Sequence, residues 1–264
     1  MTDQIVLTDI TDNIATITMN RPDVHNAFNE DMISTLTDAF AEMDGRDDVR
    51  AVVLRGNGKS FSAGGDLNWM RKTADYDFDD NFQDAMQLGW LLKTINTLSK
   101  PTIAVVHGNA FGGGVGLTAC CDIAIAEENT TFCLSEVRIG LIPSIIAPYV
   151  ISAIGERQSR RYFMTAERFK ATTAEKIGLV HEAPAAEAVE DTLSSIISSL
   201  MDGSPNAQAM GKELIRDISK RSIDDKVINY TAKKIAEARA AEDGKEGLNA
   251  FLTKQEPRWR KKAS

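Results

Sequence analysis

The first 130 residues alternate short apolar, β-branched runs with longer segments that carry apolar residues at helical spacing. "VRAVVLRG" (residues 49–56) and "PTIAVVHG" (residues 101–108) are runs of the strand type, and each ends in glycine. "FNEDMISTLTDAFAEMD" and residues 78–98 space their apolar side chains three and four apart, as a helix requires. Strands that alternate with helices predict an α/β domain of repeated strand and helix units.

The two ends of the chain differ from this pattern. Residues 5–10 and 13–19 are rich in Val, Ile and Thr and are separated by "TD", which predicts an opening β-hairpin. From residue 145 onward the spacing is helical, apart from a possible short strand "GLVHE" at 178–182. Gly, Ser and Pro cluster in "MDGSPN", residues 201–206. We therefore expect a main domain over residues 1–202 and a helical region over 203–264.

Charge and cysteine content limit the classes of binding partner and the cellular compartment that fit this chain. The net charge of −8 disfavours nucleic acid, and we expect the basic "RWRKKAS" at the C-terminus to be a solvated tail. The three cysteines have neither metal-site spacing nor an even disulfide framework, which fits a reducing compartment. There is no signal-peptide pattern and no apolar run of membrane-spanning length. We expect a cytoplasmic protein with no nucleic-acid or membrane partner and no metal.

Several common motifs fail on inspection. "GNGKS" lacks the first glycine of a phosphate-binding P-loop, because that position is Val53. "FGGGVG" does not have the spacing of a dinucleotide fingerprint, and no Gly-x-Ser-x-Gly nucleophile motif occurs. His25, His107 and His181 lie far apart, and we predict that they are packing or surface residues.

Two glycine turns remain, "FSAGGD" and "AFGGGVG", and each follows a strand. Glycine lets the backbone approach a ligand closely with its N–H groups exposed. Two converging N–H groups form an oxyanion hole, in which each donor stabilises a developing oxyanion by roughly 3 kcal/mol. The alternative is a pair of structural turns, and spacing does not decide between the two.

Six longer stretches follow one another in a familiar order: "NRPDVHNAFN", "GKSFSAGGDL", "GNAFGGGVGLTACCDIAIA", "FCLSEVRIGLIP", "AEKIGLVHE" and "DGKEGLNAFLTKQEPRW". Together they resemble the crotonase family of enoyl-CoA hydratases and isomerases over nearly the whole chain. The resemblance implies an α/β crotonase-like spiral of ββα units in residues 1–202, which binds acyl-CoA, and a helical C-terminal region that assembles a homotrimer or homohexamer. It also implies a lyase with no separate cofactor, since coenzyme A is part of the substrate.

The resemblance assigns roles to the two glycine turns. The backbone N–H groups of Gly65 and Gly113 would hold the thioester oxygen, helped by the dipole of the helix that opens at Gly113. Ala63, Asp66 and Gly112 would line the substrate site, with the backbone of Ala63 beside the adenine ring.

The acidic residues depart from the common pattern. Typical hydratases carry one glutamate two residues after "GGG" and a second in the "FxxxE" segment, whereas this chain has Gly116 and Glu136. In one interpretation Glu136 serves alone, first as base toward water and then as acid toward the α-carbon. The second is a Δ3-Δ2 enoyl-CoA isomerase, and the third is a crotonase fold that binds acyl-CoA or a partner without turnover.

Local motifs such as "RRYFMTAERF" resemble bacterial 3-methylglutaconyl-CoA hydratases of leucine degradation and the related isohexenylglutaconyl-CoA hydratases. Such substrates carry a second carboxylate, which arginine or hydroxyl groups can position. Asp122 is expected to be a structural hydrogen-bond acceptor. The candidates for the second carboxylate are Arg160, Arg161, Ser135 and Ser144, and those for the CoA phosphates are Arg71 and Lys72.

Overall fold

The computed structural model describes residues 4–260, which form two compact units. The first unit holds residues 4–98 and 102–193, and the second holds Ser99–Pro101 and residues 194–260. The units divide after Leu193, inside a helix. The functional boundary expected at residue 202 stays a prediction.

The first unit opens with the predicted hairpin, in which β1 (Val6–Thr11) pairs antiparallel with β2 (Ile14–Met19). The turn residues are Asp12 and Asn13 rather than the expected Thr-Asp pair, and both have positive φ, 51° and 65°. Asp and Asn tolerate this left-handed conformation, and two such residues in succession give a tight turn that matches the twist of the strands.

A five-stranded sheet contains the other long strands of the first unit. β3 (Ala51–Gly56), β4 (Thr102–Val106) and β6 (Ile123–Ala126) follow β2, so that the order is β1-β2-β3-β4-β6. The neighbours are parallel from β2 onward. β4 is buried along its whole length, as is usual for a parallel strand covered on both faces.

Helices connect these strands. α1 (Glu30–Asp44) follows β2, α2 (Leu67–Thr73) and α3 (Phe78–Thr97) follow β3, and α4 (Gly113–Cys120) opens at the second glycine turn. α2 was not expected, because the sequence suggested only a turn there. The inner faces of α1 and α3 supply the core side chains Leu36, Phe40, Leu91 and Leu92.

A second, three-stranded sheet links the two glycine turns. It consists of β5 (Asn109–Phe111), β7 (Thr131–Cys133) and β8 (Phe169–Lys170), in the order β5-β7-β8. An isolated parallel bridge joins Ser62 in the first glycine turn to Ala110 in β5. The sheet therefore brings the first glycine turn, the second glycine turn and the segment after β7 together.

α5 (Ala147–Thr165) and α6 (Ala171–Ile177) complete this part of the fold. The possible strand at 178–182 is only one bridge, between Ile125 of β6 and Glu182. Pro184 follows two residues later and has no N–H to donate, which limits further pairing.

The second unit is helical. α7 (Val189–Met201) begins in the first unit and ends in the second. The other three helices are α8 (Pro205–Ile218), α9 (Asp225–Ala240) and α10 (Glu242–Thr253). None of the helices in residues 4–260 has both the length and the apolar character that a membrane span requires.

The start of the basic C-terminal segment is anchored, which corrects the expectation of a solvated tail for residues 258–260. Arg258 forms ion pairs with Glu242, Asp243 and Glu246. The indole N–H of Trp259 donates to the carbonyl of Asp202, 3.2 Å away. Residues 261–264 of the predicted tail lie outside the described residues.

Candidate active site

The two glycine turns lie against each other. Gly64 has a φ of +90°, and a Cβ at this position would lie 3.1 Å from the carbonyl oxygen of Phe111 and 3.9 Å from Cα of Gly112. The N–H of Phe111 donates to the carbonyl of Ser62, 2.9 Å away. Only glycine allows so close an approach of two backbone segments with a positive φ.

The two predicted oxyanion donors have no acceptor within residues 4–260. The backbone N–H of Phe28 donates to the carbonyl of Gly64, and the carbonyl of Phe28 accepts from the N–H of Asp66. The N–H of Gly65, which lies between these two bonds, takes no part in them. Gly113 is the first residue of α4, where a backbone N–H has no partner within the helix. Both N–H groups are therefore available to a ligand.

Glu136 approaches the second glycine turn. It begins a 3₁₀ turn, Glu136–Ile139, shortly after β7. The N–H of Gly112 donates to the carbonyl of Cys133, 2.9 Å away, and fixes this segment beside the turn. A Cβ at Gly112, where φ is +49°, would lie 3.1 Å from Oε1 of Glu136. The absence of a side chain at 112 thus gives the carboxyl access to the turn.

The surroundings of Glu136 favour a proton-transfer role. Its Oε2 is buried and has no hydrogen-bond partner among the described residues. Burial raises the pKa of Glu136 above its ordinary value. A carboxyl group with a raised pKa exchanges its proton closer to neutral pH, as a general acid and base must.

The position of the missing family acid is filled by an apolar side chain. Gly116 is buried in α4, and a Cβ there would lie 2.2 Å from Cγ2 of Ile146 and 3.8 Å from Cδ1 of Leu92. Ile146 is 2% exposed. Glu136 therefore faces no second acid at position 116, and no side chain fits there without displacing Ile146.

Asp66 supports the first glycine turn. Its carboxylate accepts hydrogen bonds from the N–H groups of Asn68 and Trp69 at the start of α2, and it pairs with Arg21 at 2.8 Å. Burial opposes ionisation, but the N–H of Asn68 and the guanidinium of Arg21 outweigh it and hold the pKa of Asp66 below its ordinary value. Asp66 therefore caps α2 and pairs with Arg21, and its predicted contact with substrate stays a prediction.

Ala63 uses its N–H within the fold, and its place beside the adenine ring stays a prediction. Its N–H donates to the carbonyl of His25, 2.9 Å away. Within residues 4–260 no donor reaches the carbonyl of Ala63, which remains open to a ligand. A backbone carbonyl can accept a hydrogen bond from an amino group such as that of adenine.

The two arginines expected near a second carboxylate are occupied by acids of their own segment. Arg160 pairs with Glu156 at 2.5 Å, and both side chains are largely exposed. Arg161 pairs with Glu167 and lies over the ring of Tyr162. Glu156 lies within α5 and Glu167 just after it, and the role of the two arginines toward a second carboxylate stays a prediction.

The other predicted polar contacts are less constrained. Ser135 precedes Glu136 and makes no capping bond, and Ser144 is exposed. Lys72 bonds to Glu30 at 2.6 Å, which raises its pKa. Arg71 bonds to the side chain of Asn68 at 2.7 Å. Both basic residues lie in the last turn of α2 and remain candidates for the CoA phosphates.

The histidines and Asp122 have structural bonds. Asp122 accepts from the N–H and the hydroxyl of Thr102, as expected of a structural acceptor. His181 accepts from the N–H of Ala124. Nε2 of His107 lies 2.9 Å from the carbonyl of Gly58, and Nδ1 of His25 lies 3.3 Å from the hydroxyl of Ser60. No group of three His, Cys, Asp or Glu side chains in residues 4–260 is arranged to hold a metal ion.

Sequence reasoning missed three residues that shape the site. Arg21 pairs with Asp66. The ring of Phe28 lies where a Cβ on Gly113 would be, with Cε2 at 2.7 Å, and Ile146 covers Gly116. The Asp-Leu-Asn start of α2 was a helix-capping signal that could have indicated the role of Asp66. The contacts of Phe28 and Ile146 have no local signal.

Comparison with known proteins agrees with this geometry. Residues 9–262 match the enoyl-CoA hydratase/isomerase family. The solved enoyl-CoA hydratase of Shewanella pealeana is 41% identical, with 97% of this chain and 96% of that chain covered and a TM-score of 0.94. The enoyl-CoA hydratase/isomerase structure of Marinobacter aquaeolei is 33% identical, with 97% and 99% covered and a TM-score of 0.92. The short-chain-enoyl-CoA hydratase of Clostridium acetobutylicum is 30% identical over 248 residues, 92% of each chain.

Two sheets that hold paired glycine turns, followed by C-terminal helices, define the class as the crotonase fold. The chain belongs to the enoyl-CoA hydratase/isomerase family. The predicted family and fold class are thereby confirmed.

Proposed function

We propose that this protein is an enoyl-CoA hydratase that uses Glu136 as its single acid and base. The observation that carries the proposal is the position of the Glu136 carboxyl beside Gly112, next to the free N–H groups of Gly65 and Gly113. This arrangement provides hydrogen-bond donors for an oxygen and a proton-transfer group within one small site.

The reaction divides into two proton transfers. The carboxylate of Glu136 takes a proton from water while the water oxygen bonds to the β-carbon, and the C=C electron pair moves to give an enolate on the thioester oxygen. The N–H groups of Gly65 and Gly113 stabilise this oxygen, each by roughly 3 kcal/mol. The protonated Glu136 then gives its proton to the α-carbon, so that one water is added and the carboxylate is regenerated.

The acyl group that we propose is 3-methylglutaconyl or a related glutaconyl group. The support is the local resemblance of "FCLSEVRIGLIPS" and "RRYFMTAERF" to hydratases for such substrates. Arg160 and Arg161 pair with exposed acids nearby, so they would have to leave these partners to contact the distal carboxylate. Ser135 and Ser144 are the other predicted contacts. Hydroxyl groups donate one hydrogen bond each, so this recognition is weaker than a bidentate arginine contact.

A specific observation favours a second candidate, the Δ3-Δ2 enoyl-CoA isomerase. The side chain of Ile146 makes the surroundings of position 116 apolar. Such surroundings suit isomerisation, because that reaction needs no water. Glu136 would remove a proton from C2 of a 3-enoyl-CoA and return it to C4, while the same two N–H groups hold the enolate oxygen. One carboxyl group is sufficient for both transfers.

The test compares 3-methylglutaconyl-CoA, crotonyl-CoA and a 3-enoyl-CoA with purified wild-type protein and Glu136→Gln. We follow the absorbance of the conjugated thioester and identify products by mass. Fast hydration of the first substrate, with a loss of about 10²-fold or more in Glu136→Gln, is expected for a general acid and base. Appearance of conjugation from the 3-enoyl-CoA alone supports the isomerase. Binding without turnover of any substrate contradicts both and supports an acyl-CoA-binding protein.

A further inference from the structure

We propose that Ile146 closes position 116, because its side chain occupies the space that a side chain there needs, so that an acid introduced at 116 could join Glu136 in the site only once Ile146 is removed. The inference rests on the proposed role of Glu136. It adds that Ile146, the residue before α5, blocks the space at 116, so that restoring an acid there requires a change at 146 as well.

Glu136 and Ile146 cover successive turns at the same end of α4. The N–H of Gly116 donates to the carbonyl of Gly112 at 3.2 Å, so the two glycines are one helical turn apart, about 5.4 Å along the axis. Oε1 of Glu136 lies against Gly112, whereas Cγ2 and Cβ of Ile146 lie 2.2 and 2.9 Å from the Cβ position of Gly116. The carboxyl and the isoleucine are therefore neighbours on α4.

Ile146 is held in this position by the start of α5. Ile146 is the residue before the helix, and its carbonyl accepts hydrogen bonds from the N–H groups of Tyr149 and Val150, at 3.1 Å each. Leu92 of α3 closes the space from another side, 3.8 Å from the Cβ position of Gly116. The two bonds fix the backbone of Ile146, and so the point from which its side chain reaches Gly116.

The charged and titratable groups around Glu136 do not bind its carboxyl. Arg138, on the same 3₁₀ turn, donates to the carbonyl of Ala166 at 2.7 Å. Arg168 lies over the ring of Phe111, and Tyr149 is half-buried in α5. In the part of the chain that the structure describes, no hydrogen bond joins these groups to Oε2 of Glu136.

The experiment uses Gly116→Glu, Ile146→Gly and the double variant of the full-length protein. Glycine is chosen at 146 because an alanine would keep the Cβ that lies 2.9 Å from the Cβ position of residue 116. We expect Gly116→Glu alone to lower the melting temperature by about 5 °C or more, since it overpacks a buried site. In the Ile146→Gly background, adding Gly116→Glu should lower the melting temperature much less than it does in the wild type. The comparison is between the double variant and Ile146→Gly alone.

The double variant should also hydrate crotonyl-CoA at least tenfold faster than Ile146→Gly, because a second acid then lies one turn from Glu136. The matched control combines Gly116→Glu with Ile154→Ala, which opens space elsewhere on α5 and should rescue neither property. Ile154 is buried and is not a neighbour of Gly116.

Three results would overturn the inference. They are normal stability of Gly116→Glu alone, equal rescue by the Ile154 control, and a stable double variant with no gain in hydration. The melting temperatures do not depend on turnover. If the wild type acts on none of the three substrates, the proposed function fails, while the stability series still decides whether Ile146 closes position 116.

Discussion

At the scale of single residues, the site depends on the missing side chains of three glycines as much as on the carboxyl group of Glu136. Gly112 lets the Glu136 carboxyl reach the backbone, and Gly113 leaves room for the ring of Phe28 beneath a free N–H. Gly116 leaves its space to Ile146. Three glycines within five positions therefore have three different neighbours, and only the first two concern the reacting groups directly.

The buried carboxyl of Glu136 makes stability depend on pH. Because the pKa of Glu136 is raised in the folded state, the folded protein holds this proton more tightly than the unfolded chain does. The folded state therefore loses stability as pH rises from the ordinary glutamate pKa through the raised value, and above it the loss is complete. We expect Glu136→Gln to melt at a higher temperature than the wild type at pH 8, with a smaller difference at pH 4.

The measurement is thermal unfolding of both proteins across this pH range. Glu128→Gln, at an exposed carboxyl whose backbone N–H bonds to Pro184, is the control and should show no such trend. If the difference in melting temperature between Glu136→Gln and the wild type does not change with pH, the carboxyl of Glu136 is not buried away from water as the structure has it.

At the scale of secondary-structure elements, α2 is important because its start and the first glycine turn share one residue. Asp66 follows Gly65 directly, caps α2 and pairs with Arg21. Loss of this cap releases the end of the turn whose N–H is proposed to hold the thioester oxygen. Stability and catalysis are thus coupled at α2.

We expect Asp66→Ala to lose about 1–3 kcal/mol of stability, from the missing cap and the unpaired Arg21. We also expect kcat to fall about tenfold or more as the Gly65 donor loses its position. The control is Asp77→Ala, which removes the cap of α3 through the N–H of Asp80 and leaves the glycine turn untouched. Melting curves and steady-state kinetics measure both effects; equal kcat losses in the two variants would argue against a positioning role.

At the scale of the whole molecule, the helices of the second unit expose large apolar side chains. Phe251 is 80% exposed, Leu252 71% and Ile215 68%. Large apolar side chains as exposed as these are found on surfaces that bind another protein chain. This supports the expectation from the resemblance that the C-terminal helices assemble a homotrimer or homohexamer.

We expect light scattering of the purified chain to give the mass of a trimer or hexamer of the 28.9 kDa chain. Phe251→Glu should lower the assembly mass or make it concentration-dependent, because a charge would have to be buried in the contact. Phe251→Leu keeps an apolar side chain and is the control. A monomer at all concentrations for the wild type would contradict the assembly.

The sequence by itself determined most elements of the fold and the two glycine turns. β4 and α1 were predicted within a few residues, because strand and helix periods are local properties of the chain. The resemblance supplied the crotonase fold and directed attention to Gly65, Gly113 and Glu136. Both kinds of inference use only the order of residues along the chain, which can be read without a structure.

Only the tertiary structure decided which side chains meet. It placed Glu136 beside Gly112, the ring of Phe28 against Gly113, and Arg21 beside Asp66. It also filled the space at Gly116 with Ile146, thirty residues further along the chain. Contacts between distant residues depend on how sheets and helices pack, and neither spacing nor composition encodes that packing.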